Sequence, residues 1–176
     1  SQDVTIAGAE FLSNSADDWG GAIFHDPSPD QGSDLEVTDS IFTANTAIAG
    51  NGGTGGAGAI YAGLALDLRL YRNSFSLNTA VYDGGGVYID AAVNSDVIAN
   101  DFCDNYAVGA GGGLIHWNGT TAYFASNIFQ DNESLDRGGA AYIAYGPTRF
   151  FQNNTFVGNE APVAAGIRCY ECDIDV

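Results

Sequence analysis

Three aspartates in the second half of the chain have the side chains and the spacing for acid–base chemistry. Asp104 and Asp131 each stand two residues after a phenylalanine, 27 positions apart, and Asp101 precedes the first of them. Two carboxylates stacked on neighbouring repeats either raise a pKa or hold a cation. A glycoside hydrolase needs such a pair about 5–9.5 Å apart, and a polysaccharide lyase adds an Arg or Lys base. These aspartates are the catalytic candidates, although no matched acid, base and orienting residue accompanies them.

A second set of carboxylates suggests a cation site. Asp26, Asp30 and Asp34 follow one another at intervals of four residues in a segment rich in Pro and Gly. Calcium takes several oxygen ligands from a flexible loop. The spacing matches neither an EF-hand nor a Gly-Gly-x-Gly-x-Asp repeat. Two interpretations therefore stay open, a bound Ca²⁺ and a solvated acidic loop.

Aromatic side chains offer a binding surface. Each of Phe24, Tyr61, Tyr88 and Tyr142 follows the aliphatic or small residue that opens a predicted strand. If that residue points into the core, the rings point outward and form an exposed column, which suits sugar rings or a partner protein. With the opposite pleat the rings belong to the core. The pattern favours rings that face solvent and bind glycan or protein.

Charge limits the partners of this chain. It has 22 acidic residues and five Arg, with a net charge of −17. Such a surface repels nucleic acid and anionic lipid, and no apolar run approaches the ~18 residues of a membrane helix. We therefore expect neither nucleic-acid binding nor a membrane span. Cys169 and Cys172 predict a short disulfide in a secreted protein, and the isolated Cys103 is expected to be inert.

A repeat runs through the elements that position these residues. The pattern Phe-x-x-Asn occurs six times, at Phe-to-Phe steps of 31, 33, 27, 27 and 27 residues. Its asparagines are Asn14, Asn45, Asn78, Asn105, Asn132 and Asn159. About twelve residues after each Phe, small residues precede a strand start, as in Gly20–Ile23 and Gly84–Val87. Self-similarity of this period indicates a stacked repeat.

Each repeat contains three predicted strands. Apolar and polar residues alternate before the Phe, the Phe begins a second strand, and the residue twelve later begins a third. With no helical periodicity, the pattern predicts an all-β, right-handed parallel β-helix of about six coils, spaced ~4.8 Å apart. Residues 1–176 form one domain. We expect it to be a segment of a longer extracellular protein, because no polar cap is visible at either end.

The repeat asparagines are predicted to be structural. Asn tolerates the left-handed backbone of a tight corner, and stacked Asn amides bond to one another in a ladder. A second column, two residues before the Phe, comprises Asn73, Asn100, Asn127 and Asn154. Outward charges align in the same way. Arg69 falls between Glu36 and Asp96, and Arg72 falls beside Asp39, which predicts ion pairs between coils.

The Phe-x-x-Asn motif and the Gly-Gly-Ala-Ile of Gly20–Ile23 resemble the repeats of the polymorphic outer membrane protein family. The similarity extends from about Val4 to Ile167, although the second motif drifts to Gly-Gly-Gly in later repeats. Members of that family are bacterial autotransporter adhesins whose passenger is a right-handed β-helix. The resemblance implies a β-helix in an extracellular or cell-surface setting, while fold alone does not fix function.

The sequence thus favours a module for adhesion or structural scaffolding at the cell surface, which binds glycan or protein along an exposed face. Two alternatives stay open. One is a polysaccharide lyase or glycoside hydrolase built on the same scaffold. The other is a self-assembling surface or filament subunit, because unpaired strand edges at the ends of a β-helix invite end-to-end association.

Overall fold

The computed structural model describes residues 3–27, 32–48 and 56–175. The chain winds into a parallel β-solenoid, and its second strand position repeats six times, once in each coil. Pairing joins equivalent positions of successive repeats, so that Phe75 lies between Phe42 and Phe102. The all-β, parallel β-helix of about six coils predicted from the repeat is confirmed.

Four strand positions recur along the solenoid. The first-position strands are Val4–Ala7, Leu35–Thr38, Asp67–Tyr71, Asn94–Ile98 and Thr121–Ala125. The second-position strands are Glu10–Leu12, Ile41–Thr43, Ser74–Ser76, Asp101–Cys103, Ile128–Gln130 and Thr155–Val157. The third-position strands are Ser15–Ala16, Thr46–Ala47, Thr79–Ala80, Tyr106–Ala107 and Glu133–Ser134. The fourth-position strands are Ile23–His25, Ile60–Gly63, Val87–Asp90, Leu114–Trp117 and Ile167–Asp175, and the long strand Ala141–Gln152 covers a fourth position and the next first position.

These strands form three sheets. The second-position strands make a 6-stranded sheet and the third-position strands a 5-stranded sheet. Because Ala141–Gln152 pairs with both Leu114–Trp117 and Thr121–Ala125, the first and fourth positions merge into an 11-stranded sheet. The prediction of three strands per coil is wrong, since strands of two residues are too short to show alternation in the sequence.

In each of the second to sixth coils the chain turns at four corners, and one residue at each corner has a left-handed backbone. In the third coil these residues are Arg72, Leu77, Gly84 and Ala91, with φ of 55°, 56°, 70° and 53°. The same columns recur in other coils, with a residue as large as Tyr145 in one of them. A left-handed conformation costs a non-glycine residue about 1–2 kcal/mol. Hydrogen bonds and packing at the corners must therefore offset this cost in every coil.

A stack of phenylalanines runs along the interior. Successive ring centroids are 4.7–5.1 Å apart, and the rings are nearly parallel. The stack comprises Phe11, Phe42, Phe75, Phe102, Phe129 and Phe156. Its four central rings are fully buried among aliphatic side chains of the first and fourth strand positions. The core therefore continues from coil to coil without interruption.

The glycine pair of the repeat marks a place where the coil is too narrow for a side chain. A Cβ on Gly85 would overlap the carbonyl oxygen of Gly112 in the next coil and the backbone of Tyr106. Gly58 would meet equivalent backbone atoms in its own neighbours. The Gly-Gly signature therefore reflects two chain segments that contact each other backbone to backbone.

Candidate binding surface

The repeat asparagines form two hydrogen-bonded ladders. Asn45 N and Nδ2 donate to Asn78 Oδ1 over 2.9 and 3.0 Å, and Asn45 Nδ2 also donates to Phe11 O over 2.9 Å. The amide-to-amide bond recurs along the first ladder, which comprises Asn14, Asn45, Asn78, Asn105, Asn132 and Asn159. The second ladder comprises Asn73, Asn100, Asn127 and Asn154. Ser40 extends it, because Ser40 N donates to Asn73 Oδ1 over 3.0 Å.

The left-handed residue at these corners is the one before each ladder asparagine. Leu77 precedes Asn78 with φ of 56°, and Asp104 precedes Asn105 with φ of 54°. The expectation that the ladder asparagines themselves adopt this conformation is wrong. Their side chains instead pair backbone N–H and C=O groups that the corner would otherwise leave unpaired.

The aromatic column does not form the exposed stripe that the sequence favoured. Its rings point away from the main core, but Tyr61, Tyr88 and Tyr142 are only 8%, 9% and 4% exposed, whereas Phe24 is 55% exposed. The three tyrosines lie in a second apolar cluster, against which Trp19 packs. The Trp19 ring centroid is 4.8 Å from that of Tyr61. Trp117 and Tyr145 also pack against this cluster, and Trp19, which stands outside the repeat pattern, was missed by sequence reasoning.

The predicted calcium loop is described only in part, because Asp30 lies outside the described residues. Asp34 Oδ1 accepts a hydrogen bond from Asp67 N over 3.2 Å. Burial raises the pKa of Asp90, and the charge of Asp26 adds to that effect. Among residues 3–27, 32–48 and 56–175, no three His, Cys, Asp or Glu side chains are grouped so as to hold a metal ion. Calcium binding at this loop stays a prediction.

The catalytic candidates lie on the outer surface of the second-position sheet. Asp101, Asp104 and Asp131 are all exposed, and the last two occupy left-handed corners of neighbouring coils. Cys103 Sγ donates to Asp104 Oδ2 over 3.2 Å. Gln130 Nε2 donates to Asp131 Oδ2 over 2.9 Å. Burial, together with the Asp104 carboxylate, raises the pKa of Cys103 to about 11. Burial and the Asp104 carboxylate thus keep this thiol protonated at neutral pH, and a catalytic role for the three aspartates stays a prediction.

The C-terminal strand contains a disulfide. Cys169 and Cys172 are joined, with their Cα atoms 5.8 Å apart. Their strand, Ile167–Asp175, pairs with Ala141–Gln152, and the register shifts between Gly146 and Arg149. The disulfide therefore lies next to a local irregularity in an otherwise regular ladder.

Two polar residues, Arg149 and His116, are fully buried in the described part of the solenoid, and a partly buried His116 was expected from its column. Arg149 is fully buried and donates to Gly119 O over 2.7 Å and to Thr120 O over 2.9 Å. His116 is also fully buried, and its Nε2 lies 3.3 Å from Ser95 Oγ. Burial, with Arg149 as a second cause, lowers the pKa of His116 to about 3. Arg149 occupies a core position of the repeat, and the equivalent residues of neighbouring coils are smaller. A large charged residue at a core position was the sequence signal that could have revealed it.

An outward aliphatic column is a regular exposed apolar feature of the described residues. It lies six positions after the repeat phenylalanine and comprises Ile48, Val81, Val108, Leu135 and Pro162. The first four side chains are 47%, 36%, 42% and 50% exposed. Each follows a third-position strand, whose last residue is fully buried or nearly so. Sequence reasoning missed this column, although its fixed offset from the Phe made it detectable.

Carboxylates flank the aliphatic column near its C-terminal end. Glu133 and Glu160 lie two positions before Leu135 and Pro162 on the same outer face. With these four residues as part of its lining, a shallow groove of about 460 Å³ opens here. Two positions after Val81, Asp83 Oδ1 accepts a hydrogen bond from Ala110 N over 2.6 Å, and burial raises the pKa of Asp83.

The fold and its asparagine ladders define a parallel β-solenoid built from phenylalanine–asparagine repeats. A family model, that of the Chlamydia polymorphic membrane protein repeat, matches residues 8–26. The matched stretch contains Phe11, Asn14 and Gly20–Ile23, so the resemblance drawn from these motifs is confirmed there. Comparisons with curated proteins and with solved structures found no match. Within the described residues, no helix has the length and apolarity needed to cross a membrane.

Proposed function

We propose that this chain is an extracellular or cell-surface module for adhesion or structural scaffolding. The observation that carries the proposal is the polymorphic membrane protein repeat at residues 8–26, which points to a surface-associated protein. Phe11 and Asn14 of this repeat lie in register with Phe42 and Asn45 of the next coil. The matched stretch therefore contains the Phe and Asn positions that recur in the described coils.

The solenoid geometry supports binding along its length. Register pairing places each outward side chain beside its equivalent in the next coil, so an outward position becomes a column. A protein ligand is favoured over a glycan, because the tyrosines that would stack on sugar rings are buried. The Cys169–Cys172 disulfide agrees with an oxidising, extracellular setting.

Adhesion of protein-coated beads to cultured cells tests this function. Beads that carry the folded chain should bind cells in excess of beads that carry an inert protein of similar negative charge. Treatment of the cells with trypsin should remove the binding, whereas treatment with glycosidases should leave it. Binding no greater than that of the acidic control beads would contradict the proposed function, and sensitivity to glycosidases alone would replace protein by glycan as the ligand.

A further inference from the structure

The aliphatic column differs in composition from the other outward columns of the solenoid. Its five members in the second to sixth coils, Ile48 to Pro162, are all apolar. By contrast, the column six positions before the Phe changes from charged to aromatic residues along the coils: Glu36, Arg69, Asp96, Tyr123 and Phe150. The aliphatic column therefore stays apolar over five successive coils, unlike the column six positions before the Phe.

The fold itself does not account for these exposed side chains. The core at this place is filled by the preceding residues, such as Ala80 and Ala107, which are fully buried. Strand propensity favours β-branched residues within strands, but Val81 and Val108 stand just after Thr79–Ala80 and Tyr106–Ala107. Their backbones are held in place, because Val108 N donates to Ala80 O over 3.1 Å. The result is a rigid row of apolar side chains, ~19 Å long for five coils at ~4.8 Å each.

The surroundings of the column are acidic. Glu133 and Glu160 flank the column near its C-terminal end, whereas the partly buried Asp83 accepts a hydrogen bond from Ala110 N. Arg137 is the cation nearest in sequence, and its guanidinium is already paired with Asp136 over 2.7 Å. An apolar row with carboxylates beside its C-terminal end is complementary to an apolar segment flanked by cations.

We propose that the aliphatic column is a docking surface for a basic protein segment that presents aliphatic side chains between Lys or Arg residues. This inference rests on the proposed function and names the surface and the class of partner. The net charge of −17 disfavours a second copy of the same chain, an anionic lipid surface and nucleic acid as occupants. Apolar contact supplies affinity, and the flanking charges supply orientation and rate of association.

Fluorescence anisotropy with synthetic peptides tests the docking surface directly. The probe is a labelled peptide of alternating lysine and leucine, and the comparison peptides are lysine–serine and glutamate–leucine. We expect saturable binding of the lysine–leucine peptide at about 20 mM NaCl, with weaker binding at about 300 mM NaCl. The lysine–serine peptide should bind at least about tenfold more weakly, because it lacks apolar contact.

Matched variants locate the binding. Val108→Ser with Leu135→Ser should weaken the lysine–leucine peptide about tenfold or more. Leu12→Ser with Val157→Ser changes side chains that are 55% and 50% exposed on the second-position face, and should leave binding unchanged. Circular dichroism checks that both double variants remain folded. Equal loss in the two double variants would overturn the proposal.

Charge variants test the acidic flank without removing apolar surface. Glu133→Gln with Glu160→Gln should weaken binding about three- to tenfold and reduce its salt dependence. Glu10→Gln, on an exposed site of the second-position face, is the control and should have no effect. Equal binding of the lysine–serine and lysine–leucine peptides would overturn the proposal, since it would reflect charge alone.

Bead adhesion separates failure of this inference from failure of the proposed function. If the Val108→Ser and Leu135→Ser variant still adheres to cells as the unchanged chain does, the docking surface is wrong while the adhesive function stands. If the unchanged chain does not adhere, the proposed function fails. Loss of adhesion in this variant, with adhesion retained by the Leu12→Ser and Val157→Ser variant, supports both.

Discussion

The buried His116 makes the stability of the solenoid depend on pH. Its neighbours in register are Ile89 and Ile143, both fully buried. Because burial and Arg149 lower its pKa from 6.5 to about 3, the unfolded chain binds a proton below pH 6.5 that the folded chain does not. Above pH 6.5 the titration of this residue therefore does not change stability with pH. Below that pH, stability falls by about 1.4 kcal/mol per pH unit, down to about pH 3.

His116→Ile should remove this dependence. We expect the loss in unfolding free energy between pH 7 and pH 5 to be smaller in the variant by about 2 kcal/mol. Urea unfolding followed by circular dichroism at the two pH values measures the difference. The carboxylates and His25, whose pKa is also lowered, titrate in the same way in the unchanged chain and the variant. Their contributions to the pH dependence therefore cancel in the comparison. Parallel pH dependences in the two proteins would contradict a buried, neutral histidine.

The thiol of Cys103 should react slowly at neutral pH. Burial is the larger cause and the Asp104 carboxylate the second cause of its raised pKa, which is about 11. The thiolate is therefore scarce below that pH. Asp104→Asn removes the negative charge, and Asn tolerates the left-handed backbone at this position. Labelling with a disulfide reagent at about pH 8.5 should become several-fold faster, since the thiolate is the reactive form. Glu10→Gln serves as the control, and an unchanged rate in Asp104→Asn would refute the electrostatic cause.

The ion pair of an individual arginine was predictable from the sequence only where a single carboxylate lay within its reach. Arg72 Nε and Nη2 donate to the two carboxylate oxygens of Asp39 over 2.7 and 2.8 Å, as the alignment of coils predicted. Arg69 lies in register between Glu36 and Asp96, yet it donates to Asp67 Oδ2 on its own strand over 2.7 Å. Register gives the neighbours of a side chain, but its rotamer decides among them.

At the scale of the repeating element, the asparagine ladder should contribute strongly to stability. Asn105 Nδ2 donates to Phe75 O and to Asn132 Oδ1, both over 2.9 Å, and Asn105 Oδ1 accepts from Asn78. Asn105→Ala leaves several buried groups unpaired and should cost about 3 kcal/mol or more. Chemical denaturation measures this cost. Asn94→Ala, at an exposed asparagine, is the matched control and should cost less than about 1 kcal/mol; equal costs would refute the ladder's role.

The glycine corner should be equally sensitive. Gly85→Ala places a Cβ against the backbone of the next coil and should cost about 3 kcal/mol or more, because backbone atoms cannot move aside as a side chain can. Thermal unfolding of the variant measures the loss. Gly166→Ala is the control, since a Cβ there meets nothing within 4 Å and its φ is not left-handed. If Gly85→Ala melts as Gly166→Ala does, the close backbone approach is wrong.

The sequence was sufficient to predict the repeating elements because their signals recur six times. The Phe stack, the Asn ladders and the strand register all follow from one offset rule. The third-position strands escaped prediction because two residues are too few to show alternation, although a small residue recurs five positions after the Phe, and Trp19 has no periodic signal. Burial of Tyr61 and Tyr88 depends on that unrepeated tryptophan, which alternation within a strand cannot reveal.

At the scale of the whole molecule, the net charge of −17 should destabilise the folded state through repulsion. Raising NaCl from about 20 mM to about 500 mM screens these charges. We therefore expect the urea midpoint to rise, by the equivalent of about 1 kcal/mol. Potassium chloride at the same ionic strength is the control and should act alike. A midpoint that falls with added salt would mean that ion pairs such as Arg72–Asp39 outweigh the repulsion.

The uniform spacing of the later coils has a consequence for how such a chain changes in evolution. Ser74, Asp101 and Ile128 occupy one position in three successive coils, 27 residues apart. Duplication or loss of one whole coil preserves the inside and the outside of every strand, whereas an insertion of a single residue within a strand exchanges them. The coil is therefore the unit by which the chain can grow or shrink without changing which side chains face the core. Related chains can therefore lengthen or shorten the aliphatic column only by whole coils. The length of the surface available for contact changes by one coil at a time.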